Sequence, residues 1–302
     1  MKLFAGSSNI PLSHFIAKKL NTILAKSSLK LFDDGEIKPV IEEDVRDQVC
    51  VIIQTTSGNP NNYWMELFLM TDAIKRGASK KIIAIIPNFG YARQNQRHMD
   101  GEPVSAHVMV NFLQNVGISE VITVDLHDET MTGMFDIPIT NLSALPILAK
   151  IVKPYIKSDF TVVTPDQGGI ERARLFAESM GCKNPIIAVE KKRELTKEHQ
   201  SHALQVLGNA TGLDVVIQDD VVTSGRTLLN AVNSLAEQNV KNIYACVTHE
   251  DFSPGVAHHL QQSQIQKFFV TNTVNIPTGK KFPKLHIVDI SSLLAEAIKK
   301  VV

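Results

Sequence analysis

One stretch of the sequence limits what this chain can fold into: residues 215–227, which read Val-Val-Ile-Gln-Asp-Asp-Val-Val-Thr-Ser-Gly-Arg-Thr. Its apolar first part is typical of a buried strand. The apolar residues that follow it recur at the spacing of a helix that packs on one face; they are Leu228, Leu229, Val232, Leu235 and Ala236. The stretch therefore predicts a strand, a short polar loop and a helix, in that order.

The polar loop has the chemistry of a binding site for a sugar phosphate. In open α/β sheets, ligands bind at the carboxyl ends of the strands, and a helix N-terminus there offers unpaired N–H groups to a phosphate. Thr223, Ser224 and Thr227 add hydroxyl donors. Asp219 and Asp220 would repel a phosphate, so we expect them to face sugar hydroxyls or a hydrated divalent cation. The alternative is that the two acids merely end the strand and cap the helix.

The composition is that of an ordinary soluble chain whose net charge is zero, so the protein as a whole has no strong electrostatic field. The 302 residues are 44% hydrophobic and 21% charged, and Lys plus Arg equals Asp plus Glu at 31 each. A zero net charge argues against nucleic acid or an anionic membrane as partner, so any anion site must be local. No apolar run reaches the roughly 18 residues of a membrane span, and the start has no apolar signal core. We expect a cytoplasmic protein.

Apolar segments alternate with helical patterns along the whole chain. The strand candidates of the first half are residues 2–5, 49–54, 81–87 and 121–125, and helical patterns cover 65–75 and 107–115. This alternation predicts a mainly parallel sheet flanked by helices. A new strand at 161–164 repeats the pattern. We therefore expect two domains, 1–145 and 146–302.

Further candidate residues lie where the predicted strands of the first half end. After the third strand, Arg93 could clamp phosphate oxygens and Gln94 could read a purine edge. After the fourth, His127 could bind a metal or a phosphate. Residues 31–37 suggest the tip of an extra hairpin. Taken singly, each feature is also compatible with a solvated loop or a structural histidine.

Taken together, the motifs point to a family. The residues 219–227 resemble the phosphoribosyl-diphosphate loop of the type I phosphoribosyltransferase fold. With residues 32–37, 89–94 and 124–127 they occur in the order and spacing seen in ribose-phosphate diphosphokinases. This resemblance covers essentially the whole chain. It implies two similar type I phosphoribosyltransferase-like domains, an N-terminal one that binds ATP and a C-terminal one that binds ribose 5-phosphate.

The resemblance also implies an activity and a role for each motif residue. The expected reaction transfers the diphosphoryl group of ATP to the C1 hydroxyl of ribose 5-phosphate, with Mg²⁺, and gives phosphoribosyl diphosphate and AMP. ATP would be held by Phe32, Asp34, Glu36, Arg93 and Gln94. Ribose 5-phosphate would be held by Asp219, Asp220, Thr223, Ser224, Gly225, Arg226 and Thr227. His127 and Asp166, the latter in a Pro-Asp-x-Gly-Gly turn, would bind the metal, and Lys191 and Arg193 on a closing loop would stabilise the reacting phosphate.

In the family, the Phe32 hairpin completes the ATP site of a neighbouring subunit, so the resemblance implies a homodimer or a higher homo-oligomer. Two features depart from the family pattern. Residues 95–101 are much less cationic than usual, which puts phosphate activation and ADP inhibition in doubt, and Arg226 stands at a position that is usually small. Two other functions stay open: a phosphoribosyltransferase that consumes phosphoribosyl diphosphate, and a non-catalytic subunit associated with a synthetase.

Overall fold

The short apolar segments of the sequence form the strands of two sheets, and the amphipathic segments between them form helices. The computed structural model describes residues 1–191 and 204–302. The chain divides into two compact units. The first comprises Met1–Ser143, Thr273–Asn275 and Asp289–Val302, and the second comprises Ala144–Asn272 and Ile276–Val288.

The first unit is built on a five-stranded parallel sheet. Its strands and helices up to residue 143 are β1 (Lys2–Ala5), α1 (Ile10–Lys19), β2 (Ser27–Leu31), β3 (Ile37–Ile41), β4 (Val49–Ile53), α2 (Pro60–Arg76), β5 (Lys81–Ile86), α3 (Ser105–Val116), β6 (Glu120–Val124) and β7 (Ile139–Leu142). The sheet order is β1-β4-β5-β6-β7, and every pair is parallel. Strand β6 is buried throughout, as expected of a parallel sheet covered by helices on both faces.

Strands β2 and β3 form a separate antiparallel hairpin. Its turn is closed by two backbone hydrogen bonds, in which the Phe32 N–H donates to the Glu36 carbonyl (2.8 Å) and the Gly35 N–H donates to the Phe32 carbonyl (3.0 Å). Gly35 has a φ of +89°, which a residue with a side chain rarely adopts. The extra hairpin predicted from residues 31–37 is therefore present.

The second unit contains a larger sheet with the predicted alternation. Its elements are α4 (Leu145–Val152), β8 (Phe160–Thr164), α5 (Ile170–Met180), β9 (Ile187–Lys191), β10 (Leu204–Leu207), β11 (Asp214–Val222), α6 (Arg226–Ala236), β12 (Asn242–Glu250), α7 (Val256–Gln262), β13 (Ile265–Thr271) and β14 (Leu285–Val288). The order is β10-β9-β8-β11-β12-β13-β14. All neighbours are parallel except β10, which runs antiparallel to β9. The predicted fold class, mainly parallel sheets flanked by helices, is confirmed.

The last helix, α8 (Ser291–Val301), belongs to the first unit, although the sequence pattern assigned all of 146–302 to the second domain. It packs on α1 and buries Leu294 and Ile298, and the Val301 carbonyl accepts a hydrogen bond from Lys81 Nζ at 3.2 Å. Thr273 is drawn to the same unit because its carbonyl accepts from Asn9 Nδ2 and Thr55 Oγ1. The division near residue 143 lies close to the predicted boundary at 145.

Short 3₁₀ turns connect several elements. They are Ser7–Asn9, Glu129–Met134, Lys153–Tyr155, Gln167–Gly169 and Thr278–Lys280. Within residues 1–191 and 204–302, no helix combines the length and the apolar character that crossing a membrane requires.

Truncating a buried side chain of α8 should destabilise the first unit. Ile298 is fully buried, so Ile298→Ala should cost about 3 kcal/mol from lost burial and the cavity left behind. Trp64, the one tryptophan of the sequence, is buried in the same unit, so its fluorescence during urea unfolding measures that unit's stability. The exposed Glu296→Ala on the same helix should change the transition by less than about 0.5 kcal/mol. Equal transitions for the two variants would contradict this packing.

Candidate functional site

The carboxyl end of β11 carries two neighbouring acids that differ in their surroundings. The Asp220 side chain is only 6% exposed and forms an ion pair with Arg172 of α5, Nη1 to Oδ1, at 3.1 Å. The Asp219 side chain is half-buried and accepts a hydrogen bond from the Asp220 N–H at 2.8 Å. A buried carboxylate is tolerated only when a partner compensates its charge, and Arg172 supplies that compensation. Asp220 is thus engaged within the protein.

Three carboxylates crowd this end of the sheet. Burial raises the pKa of the Asp219 carboxyl well above its ordinary range, and the negative charges of Asp220 and Asp166 raise it further. Asp166 reaches the cluster because β8, which precedes it, pairs with β11 in parallel. The cluster therefore favours a proton, a cation or a hydroxyl donor beside Asp219.

The turn between β11 and α6 has a conformation that requires glycine. Gly225 has a φ of +67°, and a Cβ there would lie 2.9 Å from the Val256 Cγ1 atom. The turn is fixed to the loop after β12 because the Ser253 N–H donates to the Thr223 carbonyl at 2.9 Å. Gly225 directly precedes α6, so the helix N-terminus begins at the predicted phosphate loop. Thr223 is half-buried. The other side chains around Gly225 are exposed, as an anion-binding turn requires; they are Ser224, Arg226 and Thr227.

Asp166 begins a second tight turn after β8. Its Oδ1 caps the 3₁₀ turn by accepting from the Gly169 N–H at 3.0 Å, and the Thr164 hydroxyl donates to the Asp166 carbonyl at 2.8 Å. A Cβ on Gly169 would stand 2.4 Å from Thr164 Oγ1, which explains the second glycine of this motif. The Asp166 residue is exposed to solvent on this well-fixed turn.

In the first unit, the loop after β5 carries two exposed polar side chains, and contacts with the loop after β4 fix the backbone that precedes them. A Cβ on Gly90 would lie 1.9 Å from the Thr56 carbonyl oxygen, and the Gly90 N–H donates to Thr56 Oγ1 at 2.8 Å. Tyr91 has a φ of +68°, which is unusual for a residue with a side chain, and its hydroxyl bonds to Asn61. Arg93 and Gln94 follow, and both are exposed. The side-chain oxygen of Gln94 accepts a hydrogen bond from the Ser105 hydroxyl at 2.7 Å.

The adjacent loop after β6 has the same character. Asp125 has a φ of +42° and its N–H donates to the Leu142 carbonyl at 2.8 Å. His127 is exposed, while the pKa of Asp128 is lowered, chiefly because its carboxylate accepts from the Thr130 hydroxyl at 2.7 Å. Strands β5 and β6 are parallel neighbours, so this loop and the one bearing the predicted nucleotide residues leave the same edge of the sheet.

The predicted nucleotide residues of the hairpin lie at its tip. Asp34 and Glu36 are exposed, and Asp34 Oδ1 accepts from the Glu36 N–H at 3.0 Å. Phe32 is half-buried, and the ammonium of Lys30 lies 4.5 Å from the centre of its ring. A partly exposed aromatic ring flanked by acids is compatible with stacking on a base.

The structure thus brings the predicted residues together in two groups. The second unit groups Asp166 with Asp219, Asp220 and the turn at 223–227, and the first groups Arg93 and Gln94 with His127. The two predicted metal ligands, His127 and Asp166, belong to different units. Across the described part of the chain, no cluster of three or more His, Cys, Asp or Glu side chains could by itself hold a metal ion. Lys191 ends β9, and Arg193 lies outside the described residues.

Sequence reasoning missed the role of Arg172. It lies on α5, far from Asp220 in sequence, and its neighbour Arg174 is a surface residue with a similar local pattern. No local spacing distinguishes the two arginines. Their difference arises only when α5 packs against β11.

Two α/β units built on mainly parallel sheets, one of them with paired acids near the end of a central strand and a hydroxyl- and glycine-containing turn after it, have the architecture of the type I phosphoribosyltransferase class. Residues 1–117 match the family model described as the N-terminal domain of ribose phosphate pyrophosphokinase. Residues 181–302 match the phosphoribosyl synthetase-associated domain. The chain belongs to the ribose-phosphate pyrophosphokinase family.

Named relatives match along the entire chain. It is 38% identical to the ribose-phosphate pyrophosphokinase of Bacillus caldolyticus and 36% identical to that of Bacillus subtilis, in both cases over 100% of this chain and 94% of the relative. The crystal structure of phosphoribosylpyrophosphate synthetase from Mycobacterium smegmatis superposes with a TM-score of 0.94 at 32% identity. That match covers 99% of this chain and 98% of the other.

Removing Arg172 should destabilise the second unit. Arg172→Met removes the positive charge that pairs with the buried Asp220 carboxylate, which should cost about 3 kcal/mol. Arg172→Met combined with Asp220→Asn should recover most of that loss. The matched control is Arg174→Met, which removes an exposed pair with Glu171 and should cost less than about 1 kcal/mol. Urea unfolding followed by circular dichroism measures all three, and equal losses for Arg172→Met and Arg174→Met would refute the assignment.

The stability contributed by Asp219 should depend on pH. Because the folded-state pKa of Asp219 is raised, its contribution to stability is fully present below its ordinary pKa of about 3.9 and is lost as the pH rises through the folded-state pKa. Asp219→Asn should therefore raise Tm at pH 8 by about 2–4 °C, the shift that about 1 kcal/mol produces. The gain should shrink toward pH 4. A gain that is independent of pH would show that the charge of Asp219 is not its cause.

Proposed function

We propose that this chain is a catalytic ribose-phosphate diphosphokinase that acts in the cytoplasm. It transfers the β,γ-diphosphoryl group of ATP to the C1 hydroxyl of ribose 5-phosphate and releases AMP. The observation that carries the proposal is the turn at Gly225: exposed hydroxyl groups lie at a helix N-terminus, in the turn that follows the strand carrying Asp219. Three free cysteines, two of them buried, agree with a reducing compartment.

The second unit would bind the sugar phosphate. The hydroxyl groups and N–H groups of residues 223–227 would hold the 5-phosphate, with Arg226 adding a positive charge at the rim. Asp219 would accept hydrogen bonds from the ribose hydroxyls, which stabilise an ionised carboxyl whose pKa is raised by burial and by the neighbouring acids. Asp220, already paired with Arg172, would contribute mainly by fixing the position of Asp219 and by any remaining contact with the sugar.

The first unit would bind ATP. Arg93 and Gln94 are exposed on a loop with a restrained backbone and would hold the phosphates and the base. The hairpin tip with Phe32, Asp34 and Glu36 would bind adenine in a neighbouring subunit, so the active form would be at least a homodimer. A partly exposed Phe32 ring on a two-stranded hairpin suits a role that needs a second chain.

Magnesium is the metal that fits these donors. Mg²⁺ is commonly held by only one or two protein groups together with waters and substrate phosphates, which agrees with the lack of a larger ligand cluster among the described residues. Exposed Asp166 and His127 would hold it. When bound, Mg²⁺ neutralises charge on the ATP phosphates and makes the β-phosphorus more electrophilic.

The side chains of the protein would act by placement and charge. The turn at 223–227 and Asp219 would orient the C1 hydroxyl in line with the β-phosphorus, and a fixed orientation lowers the entropic part of the barrier. Lys191 at the end of β9 and Arg193 beyond it would neutralise negative charge that develops on the transferred group. No covalent intermediate with the protein is required.

Release of AMP tests the function directly. With ATP and saturating Mg²⁺, AMP should form only when ribose 5-phosphate is added. Lys191→Ala with Arg193→Ala should lower kcat at least about 100-fold, because each supplies charge stabilisation in the transition state, while calorimetric binding of ribose 5-phosphate stays nearly unchanged. Lys183→Ala, an exposed lysine of the same unit, is the control and should keep full activity.

The same assay separates the other functions. Absence of AMP under saturating Mg²⁺ would indicate a non-catalytic associated subunit, and product formation from phosphoribosyl diphosphate and a free base would indicate a phosphoribosyltransferase. Repeating the assay with inorganic phosphate and with ADP tests whether the weakly cationic segment at 95–101 has lost regulation by these ligands.

A further inference from the structure

A side-chain hydrogen bond joins the two polar loops of the first unit. Asn95 Nδ2 donates to Asp128 Oδ2 at 2.7 Å. Asn95 directly follows Arg93 and Gln94 on the loop after β5, and Asp128 directly follows His127 on the loop after β6. The bond therefore ties the segment expected to hold the nucleotide to the segment expected to hold the metal.

The carboxylate of Asp128 is oriented by its other oxygen. Asp128 Oδ1 accepts from the Thr130 N–H at 2.9 Å and from the Thr130 hydroxyl at 2.7 Å, and so caps the 3₁₀ turn Glu129–Met134. Both oxygens are thus engaged, one within its own loop and one across to the neighbouring loop. Because Oδ2 needs a donor, the amide nitrogen of Asn95 is the chemically matched partner at this position.

The opposite side of the His127 loop is held by β7. Asn141 Oδ1 accepts from the Leu126 N–H at 3.1 Å, and its amide nitrogen bonds to the Glu129 carboxylate. Asp125 in the same loop has a φ of +42°, and its N–H donates to the Leu142 carbonyl at 2.8 Å, which holds this part of the loop against β7. The exposed imidazole of this loop therefore stands between two anchors, Asn141 on one flank and Asn95 on the other.

We propose that Asn95 and Asp128 form a positioning pair that holds His127 at a fixed place relative to Arg93 and Gln94. The pair would act through His127 and not by contacting the substrate itself. Its effect is to fix, before ATP binds, the spacing between the groups that hold the nucleotide and the imidazole that holds its metal, which reduces the ordering cost of binding. This inference rests on the proposed function of the site.

The bond has a defined donor, the Asn95 amide, and a defined acceptor, the Asp128 carboxylate, so swapping the two residues tests it. Asn95→Asp places two carboxylates against each other and breaks the bond by charge repulsion. In the double variant Asn95→Asp with Asp128→Asn, the amide and the carboxylate trade places. The amide introduced at position 128 would still accept from Thr130 through its oxygen, and it would donate its N–H to the carboxylate introduced at position 95. The double variant should therefore restore the link that the single variant breaks.

Hydrogen exchange of the ligand-free protein tests the link itself. Amides of residues 125–131 should exchange at least about 10-fold faster in Asn95→Asp than in the unaltered protein, and the double variant should return to within about threefold. Asp100→Asn is the control, since Asp100 lies on the same loop, is exposed and pairs only with Arg97 among the described contacts. Unchanged exchange in Asn95→Asp, or no recovery in the double variant, would overturn the link.

Calorimetry with a non-hydrolysable ATP analogue and Mg²⁺ tests the consequence. Asn95→Asp should weaken binding about 10- to 100-fold, as loss of a group that orients a metal ligand commonly does, and the double variant should bind within about threefold of the unaltered protein. Binding of ribose 5-phosphate alone should not change. Restored exchange without restored ATP binding would overturn the positioning role. If the unaltered protein bound no ATP analogue, the proposed function would fail and the positioning role with it, while the exchange data would still decide whether the link exists.

Discussion

Parallel pairing of β8 with β11, and of β5 with β6, is the constraint on which the rest of this structure depends. In a parallel sheet the carboxyl ends of neighbouring strands lie at one edge, so polar residues that directly follow different strands are gathered without any local sequence relation. That is why the charge of Asp166 adds to the effect of burial on the pKa of Asp219, and why Asn95 reaches Asp128 across 33 positions of sequence. The apolar strands supply the stability, and their last residues supply the chemistry.

This arrangement brings several negative charges close together, and their repulsion is unfavourable for folding. Asp219, Asp220 and Asp166 converge in the second unit, and Arg172 forms an ion pair with Asp220. The remaining unfavourable interaction at Asp219 is of the kind that a cation or a hydroxyl donor relieves, because either stabilises a carboxylate that burial disfavours. A site of this sort gives up some folding stability and gains affinity for ligands that complete its charge balance.

Local sequence patterns predicted much of this fold, because most of its strands and turns are determined by residues that are close in sequence. The strands, the hairpin and the strand-turn-helix at Gly225 follow from apolar runs and turn residues within about ten positions of one another. The placement of α8 against α1 does not, since its apolar face fits any surface of suitable shape and only long-range packing selects one. Arg172 and Asn95 were missed for the same reason. Each has a partner on another strand or loop, and nothing near it in sequence identifies that partner. The roles of the site residues in binding and catalysis stay predictions.

Both units have tight turns near the predicted ligand-binding side chains that require a positive φ, but they place different residue types there. The second uses Gly225 at a positive φ, where the missing Cβ makes the conformation inexpensive. The first places Tyr91 and Asp125 at positive φ, which costs more for these residues than for glycine, although less for Asp than for Tyr, and each lies close in sequence to a predicted ligand-binding side chain. Such strain persists only where hydrogen bonds and packing outweigh it, and here Asn61, the Leu142 carbonyl and the Asn95 link supply those contacts. The positive-φ residues of the first unit thus lie in two loops whose backbones are held by contacts from other parts of the chain.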